Sequence, residues 1–396
     1  MKLREAYDVV VVGGGPGGAA AAITAARRGL SVLLIEKRQE IGSPVRCAEA
    51  IGRDLVTPLI DLDTRWIAAE IDAFRVVAPS GQSVRVPPTS PTVVVERKIF
   101  DRELVAQAVR AGATVLAKTR ATGLIHENGR VCGVQMVSLG REIEVRAQVV
   151  IGADGPESQV GQWAGLKTTP RMAEYYTGVQ YLLAGIPLED PRECQYHIGQ
   201  TLAPGGYAWV FPKGPDRANV GLVITSTYEK SGRSAQDYLD AFVERLFPEA
   251  SVLSLVVGGI PVGGGVRDLV GDGVMLVGDA AHQAEPLTGG GINLAMFAGE
   301  MAANVAADAI AAGDVSRRGL EPYARQWQKE HGRGLKAMAT TRNTVLKYTD
   351  DRFDRLVALA AELPLDELNT FEILLRVLRH DPGLLLAARG FLMPGL

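Results

Sequence analysis

The chain has 396 residues, with 42 Lys and Arg against 45 Asp and Glu, and a formal net charge of −3. This near-neutral balance argues against nucleic acid as the main partner, because neutralising phosphates supplies most of that affinity. Hydrophobic residues make up 47% of the chain and charged residues 22%, which is typical of a globular protein. The length predicts two or three domains.

Neither the three cysteines nor the five histidines have the spacing of a disulfide framework or a zinc site, so no metal is expected. No apolar run reaches the roughly 18 residues that a membrane span requires. The short, charged N-terminus leads directly into a strand-like run, unlike a signal peptide. We therefore expect a cytoplasmic protein.

The first motif is a strand, a glycine turn and a helix. Residues 8–12 form a β-branched run that is typical of a strand buried on both faces. Residues 13–18 read GGGPGG and precede an alanine-rich helix, which is predicted to end at Gly29. A second apolar run over 31–35 ends on Glu36, and this completes a βαβ unit.

The glycine turn matches the dinucleotide fingerprint G-x-G-x-x-G at Gly13, Gly15 and Gly18. These glycines permit a tight turn, close approach of a pyrophosphate, and close packing of helix on strand. Glu36 is placed to accept both ribose hydroxyls and would repel a 2′-phosphate. The fingerprint therefore predicts FAD or NAD rather than NADP, and the alternative is a tight turn without a ligand.

The middle of the chain changes character at about residue 175. Before it, a helix is predicted over 98–112, a β-meander over 114–137, and a buried strand over 149–151. After it, alternating polarity predicts an antiparallel β domain up to residue 261. Its predicted elements are strands over 177–182, 194–198, 207–211 and 220–224, and a helix over 234–246.

The remainder returns to a buried strand over 274–277 and a helix over 292–311, and 317–396 is helical in character. The nucleotide-binding domain is thus predicted to be discontinuous, with the β domain inserted into it. The predicted segments are 1–70, 97–170 and 262–315 for the FAD-binding domain, 71–96 and 171–261 for the β substrate domain, and 316–396 for a C-terminal helical region.

A second glycine-rich site decides between FAD and NAD. The strand over 274–277 leads to Asp279, and Gly290, Gly291 and Ile292 then open a helix. A carboxylate at a strand end suits a ribityl hydroxyl, and a helix N-terminus suits the electron-rich N1/O2 side of a reduced flavin. Because NAD has no ribityl chain, the pair of sites predicts FAD.

These two motifs together resemble the FAD-binding fold of the p-hydroxybenzoate hydroxylase superfamily. The stretch GADG over 152–155, followed by Ser158, resembles the third motif of that superfamily. The resemblance implies an α/β Rossmann-type FAD-binding domain with an inserted antiparallel β substrate domain and a C-terminal helical region. It also implies that Asp154 belongs to the cofactor site.

Two further stretches resemble the signatures of the geranylgeranyl reductase family. They are GSPVRCAEAIG over 42–52 and YAWVFPKG over 207–214. In that family the first signature reads P-x-x-C-G-E-G, so that Ala48 and Ala50 stand here in place of two glycines. A methyl group at each position narrows the approach to the isoalloxazine ring, which bears on substrate choice.

The resemblance implies reduction of isolated C=C bonds of a geranylgeranyl chain, with FAD as the hydride carrier and a prenyl lipid as the substrate. The electron donor is left open between NAD(P)H and reduced ferredoxin, so that a donor protein is one of the expected partners. The apolar runs near the C-terminus add the expectation of peripheral contact with the inner face of the membrane. Beside Gly13, Gly15, Gly18, Glu36 and the 279–292 motif, the residues assigned to the cofactor are Gly17, Lys37, Arg46, Cys47, Ala48, Ala50, Arg97, Ala121 and Asp154.

An unconjugated alkene has no carbonyl to take up electrons, so its reduction needs a hydride, a proton and a dry tunnel. Cys47 and Tyr207 are the candidate proton donors, and the charge of Arg46 is expected to lower the pKa of the thiol. Tyr207, Trp209 and Phe211 share one face of a strand and are assigned to the substrate. The alternative is that these aromatic residues are ordinary sheet core and that Cys47 is a small buried hydrophobe.

Two other features have alternative interpretations. Arg97 matches a family position that contacts the pyrophosphate, or it forms a surface ion pair with Asp101. The apolar runs at 374–375, 384–388 and 391–393 either pack on the FAD domain or form a membrane foot. In the second case Arg376, Arg379 and Arg389 would meet anionic headgroups.

Two other functions are compatible with parts of the sequence. A flavin monooxygenase or halogenase has the same predicted fold, although the signatures around Cys47 and Tyr207 argue against it. A non-catalytic prenyl-binding escort would have no need of a glycine-rich FAD site.

Overall fold

The structure is a computed structural model of the chain. It describes residues 3–364, without the side chains of 229–231, and a few positions near the C-terminus. These later positions are Arg376, Arg379, His380, Asp381, Gly383 and Leu386. The apolar runs that predict a membrane foot lie outside the described residues, except for the exposed Leu386.

The strands, numbered in chain order, are β1 (Ala6–Val12), β2 (Val32–Ile35), β3 (Ala50–Gly52), β4 (Ile67–Ile71), β5 (Ala73–Val77), β6 (Ser83–Val86), β7 (Thr92–Val95), β8 (Thr114–Leu116), β9 (Thr119–Glu127), β10 (Arg130–Ser138), β11 (Arg141–Gly152), β12 (Tyr175–Ala184), β13 (Glu193–Ile198), β14 (Tyr207–Pro212), β15 (Arg217–Thr225), β16 (Ser251–Pro261), β17 (Val270–Gly271) and β18 (Val274–Leu276).

The α-helices are α1 (Pro16–Arg27), α2 (Arg97–Arg110), α3 (Gln159–Trp163), α4 (Ala235–Leu246), α5 (Ile292–Ala311), α6 (Arg317–Trp327), α7 (Arg333–Val345) and α8 (Asp350–Ala361). A π-helical turn, Gln328–Gly332, joins α6 to α7. Short 3-10 turns occur at Arg53–Leu55, Met172–Glu174, Ser226–Ser231 and Gly278–Ala281.

The first sheet has the strand order β17-β18-β11-β1-β2-β8, with β9 and β10 attached through β11. Strand β1 pairs in parallel with both β2 and β11, and its valines are buried on both faces. Helices α1 and α5 pack closely against each other, because a Cβ at Gly299 would lie 2.2 Å from the carbonyl oxygen of Gly17. This mainly parallel sheet with its packed helices confirms the predicted Rossmann-type fold.

The second sheet has the strand order β16-β12-β15-β14-β13-β5-β6, and β3, β7 and β4 form a third, three-stranded sheet. One face of the seven-stranded sheet is covered by α4 through Leu239 and Phe242. The other face carries an aromatic cluster that also includes Ile71 and Val94 of the three-stranded sheet. The exact domain boundaries stay a prediction.

Two strands of the structure differ from the prediction: β11 is longer than predicted, and β16 was not predicted. Strand β11 begins at Arg141 rather than at 149, because its first half pairs antiparallel with β10 and exposes alternate charged side chains. Strand β16 was not predicted, although it spans Ser251–Pro261 at the edge of its sheet. Most side chains of β16 are exposed in this structure, so its sequence shows no alternation of buried and exposed positions that would have predicted a strand.

Among the described residues, α5 is the one helix whose length and composition would allow it to cross a membrane. More than half of its most apolar window is buried inside the protein, and its residues Met296, Ala302 and Ala306 belong to the main hydrophobic core. Helix α5 is therefore the core helix of the first sheet.

We expect Gly18→Ala to lower the free energy of unfolding by about 3 kcal/mol, because its Cβ would lie 1.9 Å from the carbonyl oxygen of Gly13. Gly15→Ala is the matched control, since no atom lies within 4 Å of the Cβ position there. Urea unfolding of both variants without added ligand measures the difference. Equal stability of the two variants would contradict the packing described here.

Candidate active site

The glycine turn after β1 is built by close backbone contacts. Gly13 has a φ of +113°, and a Cβ there would lie 2.2 Å from the carbonyl oxygen of Ala153. Gly18 packs on Gly13 in the same way, whereas the space above Gly15 is open. The backbone contacts of Gly13 and Gly18 thus fix the turn, while the space next to Gly15 stays open. This is the arrangement that the close approach of a pyrophosphate requires.

Two helix N-termini without side-chain caps meet beside this turn. No side chain caps α1 at Gly15 or α5 at Gly291. The two helices touch near these ends, since a Cβ at Gly17 would lie 3.0 Å from the carbonyl oxygen of Ala295. Uncapped first-turn amides and the helix dipoles attract negative charge. The structure therefore brings the two predicted glycine motifs, which are distant in sequence, into one site.

Glu36 lies at the end of β2, next to the glycine turn. Its carboxylate accepts hydrogen bonds from the amide of Gly14 (2.8 Å) and the amide of Arg38 (2.9 Å). Lys37 is exposed. Ala121 lies on β9, whose first residue, Thr119, donates its amide to the carbonyl of Glu36 (2.8 Å). The residues assigned to the adenosine half of the cofactor therefore lie close together.

Asp279 follows β18, as predicted. A Cβ at Gly291 would lie 3.5 Å from its Oδ1 atom, so the carboxylate faces the opening of α5. Within the described part of the chain, no group donates a hydrogen bond to this carboxylate. Burial raises the pKa of Asp279, and the positive charge of Arg97 lowers it in part. A half-buried acceptor without a donor suits a ligand hydroxyl.

Asp154 has a different environment from Asp279. Its two carboxylate oxygens accept hydrogen bonds from the hydroxyl of Ser158 (2.9 Å) and the amide of Val160 (2.9 Å). Burial raises its pKa, while these hydrogen bonds act in the opposite direction. The side chain thus fixes the start of α3, and the backbone of 153–154 supports the glycine turn at Gly13.

Arg97 is the first residue of α2, and its guanidinium forms two hydrogen bonds with Asp101 (2.9 and 2.7 Å). The side chain of Arg97 is 15% exposed and that of Asp101 is 5% exposed, so the predicted surface ion pair is in fact buried. Burial alone would lower the pKa of Arg97, but Asp101 and Cys47 raise it above its usual range. Arg97 is therefore a permanent buried cation beside the thiol.

Cys47 is half-buried, and its Sγ atom accepts a hydrogen bond from the amide of Glu49 (3.2 Å). The prediction of a lowered thiol pKa is wrong. Burial raises the pKa of Cys47, and the cation that partly opposes this is Arg97. Arg46 is exposed and lies over Gly258 of β16, with its Cβ 3.5 Å from the Cβ position there. The thiol therefore stays protonated at neutral pH.

A buried ionic network holds the segment that contains Cys47. Glu49, at a φ of +76°, accepts hydrogen bonds from the ammonium of Lys213 (2.8 Å), the amide nitrogen Nδ2 of Asn219 (2.6 Å) and the backbone amide of Arg97 (2.8 Å). Lys213 also donates to the carbonyl of Val95 (2.7 Å). Since Lys213 follows β14 and Asn219 lies on β15, the network ties this segment to the seven-stranded sheet.

Two further hydrogen bonds fix the same segment. The side-chain amide of Gln180 donates to the carbonyl of Cys47 (3.0 Å), and the indole of Trp209 donates to the Oε1 atom of Gln180 (3.0 Å). The Nδ2 atom of Asn219 also lies 3.2 Å from the carbonyl oxygen of Ala48. The backbone of 47–49 is therefore held from the face of the sheet that carries the aromatic residues.

Tyr207, Trp209 and Phe211 share one face of β14, as predicted, and continue into a larger aromatic cluster. Tyr196 is its centre, with ring centroids 5.6 Å from Tyr207 and 5.2 Å from Phe211. The methyl groups of Ala48 and Ala50 pack against this cluster. The cluster is thus an apolar wall next to Cys47 rather than a core remote from the site.

The hydroxyl of Tyr207 donates to the carbonyl of Thr288, in the loop that leads to α5. Burial raises the pKa of Tyr207 well above its usual range, and neighbouring acidic groups raise it further. The phenol is thus neutral and already hydrogen-bonded. Its position connects the aromatic face of the seven-stranded sheet to the predicted flavin loop.

These residues fit FAD in four respects. The open space above Gly15 and the two uncapped helices suit a pyrophosphate, Glu36 suits a ribose, and the unpartnered carboxylate of Asp279 suits a ribityl hydroxyl. The opening of α5 suits the flavin ring.

The network of Glu49, Lys213, Asn219 and Gln180 was not among the predicted site residues. Glu49 and Lys213 stand in the two family signatures, but nothing in their spacing shows that they pair across 164 positions. The available signal was the presence of single polar residues, Gln180 and Asn219, inside otherwise apolar strands. Such residues are retained in a core when they have partners.

Two family models match the chain. The model for the geranylgeranyl reductase catalytic domain matches residues 174–260, and the model for FAD-dependent oxidoreductases matches residues 8–173. The two matched regions adjoin at the start of β12.

Relatives match nearly the whole chain. A digeranylgeranylglycerophospholipid reductase from Methanosarcina acetivorans is 43% identical, over 97% of this chain and 95% of its own length. The enzyme of that name from Methanocella arvoryzae is 42% identical, over 97% and 98%.

Solved structures also match nearly the whole chain. A geranylgeranyl bacteriochlorophyll reductase-like protein from Thermoplasma acidophilum superposes with a TM-score of 0.93 and 36% identity, covering 98% of this chain and 99% of that chain. The flavin-dependent brominase Bmp2 superposes with a TM-score of 0.71 and 22% identity, covering 98% and 94%, which shows the shared fold alone.

Proteins named digeranylgeranylglycerophospholipid reductase thus share more than 40% of this sequence over almost its whole length. The chain belongs to the geranylgeranyl reductase family and is an FAD-dependent oxidoreductase.

Proposed function

We propose that this protein saturates isolated C=C bonds in the geranylgeranyl chains of a phospholipid. The observation that carries the proposal is the aromatic cluster around Tyr196, which adjoins both Cys47 and the loop before α5. The names of the relatives support a prenyl lipid as substrate. The fold shared with halogenases does not by itself favour oxygen chemistry, and an escort would not need the FAD site.

The cluster supplies the dry surroundings that the reaction needs. Trp209 and Phe211 are buried, and Ala48 and Ala50 contribute methyl groups on the side of Cys47. An isoprenoid chain gains about 25 cal/mol for each Å² of apolar surface that it buries there. Excluding water also strengthens the electrostatic interactions of the few polar groups in the site.

FAD, once bound and reduced, supplies a hydride to one alkene carbon. The chain must deliver a proton to the other carbon, and we assign this step to Cys47. The S–H bond breaks as the new C–H bond forms, and the resulting thiolate regains its proton from water. Arg97 stabilises the transient thiolate, because its charge lowers the pKa of Cys47.

Cys47 is favoured over Tyr207 by their hydrogen bonds. The hydroxyl of Tyr207 already donates to the carbonyl of Thr288. In the described part of the chain the thiol of Cys47 accepts hydrogen bonds from the amide of Glu49 and the guanidinium of Arg97, and it donates none. Its proton is therefore available without breaking an interaction, and we assign Tyr207 to positioning the loop before α5.

We propose NAD(P)H or reduced ferredoxin as the electron donor. Because the proposed substrate is lipid-borne, we also propose a cytoplasmic protein in peripheral contact with the inner face of the membrane. The donor is identified by adding each compound anaerobically to the oxidised holoenzyme and following the loss of flavin absorbance.

The substrate proposal is tested by single turnover. We expect the dithionite-reduced holoenzyme to reoxidise anaerobically when a geranylgeranyl phospholipid is added, with a product heavier by two hydrogens for each reduced bond. The corresponding saturated phytanyl lipid is the control and should leave the flavin reduced. Reoxidation that requires oxygen would support a monooxygenase or halogenase instead.

Cys47→Ala should slow single-turnover alkene reduction by about 10²- to 10⁴-fold, the usual contribution of a general acid. FAD content should not change. Tyr207→Phe, which removes one hydrogen bond to Thr288, should cost about tenfold or less. The opposite order of effects would make Tyr207 the donor.

The pH profile gives an independent check of Cys47. Because the thiol must be protonated, the rate should be constant at neutral pH and fall as pH rises through the elevated pKa of Cys47. Cys47→Ser should retain a residual rate without this alkaline fall. An identical alkaline fall in the serine variant would exclude the thiol as its source.

We propose that Lys213 supports proton delivery by Cys47 through its buried ion pair with Glu49. Lys213→Met leaves a buried carboxylate without its cation and should lower the free energy of unfolding by about 3 to 5 kcal/mol. Combining it with Glu49→Gln should recover part of this loss, as thermal unfolding of the single and double variants will measure. Additive losses in the double variant would contradict a direct pairing.

If the pair also positions Cys47, the alkaline fall in rate should shift in Lys213→Met at a temperature where the variant is folded. Lys213→Arg, which keeps the charge, should restore the profile more than it restores stability. An unchanged profile in Lys213→Met would limit the pair to a structural role.

A further inference from the structure

A second concave surface lies outside the flavin site. It is a groove of about 430 Å³ between the loop that follows β16 and the α6–α7 region. This volume is in the range of small-molecule sites. Its lining contains none of the residues assigned to FAD and none from the aromatic cluster.

The groove is lined by five cations. Arg325, Lys329 and Arg333 follow one another at four-residue spacing, and Lys336 and Arg267 complete the set. Within the described residues, none of the five lies within salt-bridge distance of a carboxylate. Glu321 is the single acidic residue among the lining residues of this groove, and the nearby Glu330 accepts from Gln326 instead (3.1 Å).

This arrangement costs stability when the groove holds no anion. Like charges four residues apart on a helix repel each other. Among the described residues some other exposed arginines are paired, as Arg28 is with Asp308 (2.6 Å) and Arg317 with Asp268 (2.5 Å), and others, such as Arg130 and Arg141, are not. The groove differs from these isolated positions because it brings five cations to one concave surface. One of the five cations, Lys329, lies in the π-helical turn Gln328–Gly332, and Arg333 follows this turn directly. Such turns occur frequently at functional sites.

The loop that follows β16 forms another part of the wall and packs against α7, since a Cβ at Gly264 would lie 3.1 Å from the carbonyl oxygen of Leu335. Gly264 and Gly265 have φ values of +82° and +110°, and both line the groove. Their amides donate no hydrogen bond within the part of the chain that the structure describes. Backbone amides combined with guanidinium groups are a common means of binding phosphate, because Arg offers two parallel donors to its oxygens.

We propose that this groove is a binding site for a phosphoryl ligand, with Arg325, Lys329 and Arg333 as its main cationic contacts. The ligand class is an organic phosphate or diphosphate, which either a phospholipid headgroup or a soluble phosphate compound supplies. The site is independent of the proposed reductase chemistry, so each can fail without the other.

Calorimetry on the FAD-saturated protein tests the proposal, because bound FAD keeps the probes out of the pyrophosphate site. The probes are inorganic pyrophosphate and glycerol 1-phosphate. We expect at least one to bind, with an affinity that falls as KCl is added. The triple variant Arg325→Gln, Lys329→Gln, Arg333→Gln should bind it at least about tenfold more weakly.

The matched control is Arg4→Gln, Arg110→Gln, Arg141→Gln, which removes the same charge from exposed positions outside the groove. It should bind like the unmodified protein. Tighter binding of glycerol 1-phosphate would identify a lipid headgroup as the source, and tighter binding of pyrophosphate a soluble diphosphate compound. The proposal is overturned if neither probe binds, if the triple variant binds normally, or if the control loses affinity equally.

Discussion

The buried carboxylate of Glu49 is the interaction on which the arrangement of the site depends. It joins the start of α2, through the amide of Arg97, to the seven-stranded sheet, through Lys213 and Asn219. A carboxylate removed from water is tolerated when a cation and hydrogen-bond donors replace its hydration. The same three contacts hold Glu49 in a left-handed backbone conformation that non-glycine residues adopt rarely.

The electrostatics of Cys47 follow from this anchoring. The segment brings the thiol beside Arg97, whose guanidinium also pairs with the two oxygens of Asp101. Desolvation of the thiol therefore prevails over the remaining attraction, and its pKa rises. A neutral thiol beside an apolar wall is suited to giving a proton, whereas a thiolate would be suited to nucleophilic attack.

The sequence predicted those features that depend on neighbours in the chain. The glycine turn at Gly13, the acidic strand end at Glu36 and the shared face of Tyr207 and Trp209 each follow from local spacing. The features that it did not predict depend on distant partners. The first half of β11 reads as polar because its charged side chains are exposed beside β10, and the contact of Glu49 with Lys213 joins two signatures that local patterns leave separate.

The direction of the Cys47 pKa shift also depends on residues distant in the chain, and the sequence therefore did not predict it. Arg46 is adjacent in sequence, yet it lies over Gly258, whereas Arg97 reaches the thiol from the start of another helix. Adjacency in the chain gave the wrong cation, and it carried no information about burial. Only the tertiary structure determines how far each charge lies from the sulfur and how much water remains around it.

The structure shows which surface the two alanines of the first signature, Ala48 and Ala50, contact. The backbone there is fixed independently of the side chains, because the carbonyl of Ala48 accepts from Asn219 and Ala50 pairs with Val94 in the three-stranded sheet. What each alanine adds is a methyl group on the aromatic cluster. Each buried methyl contributes about 0.8 kcal/mol of apolar contact and removes space beside Cys47. The departure from the family pattern thus falls on the wall that we assign to the prenyl chain, and it leaves the glycine turn at Gly13 unchanged.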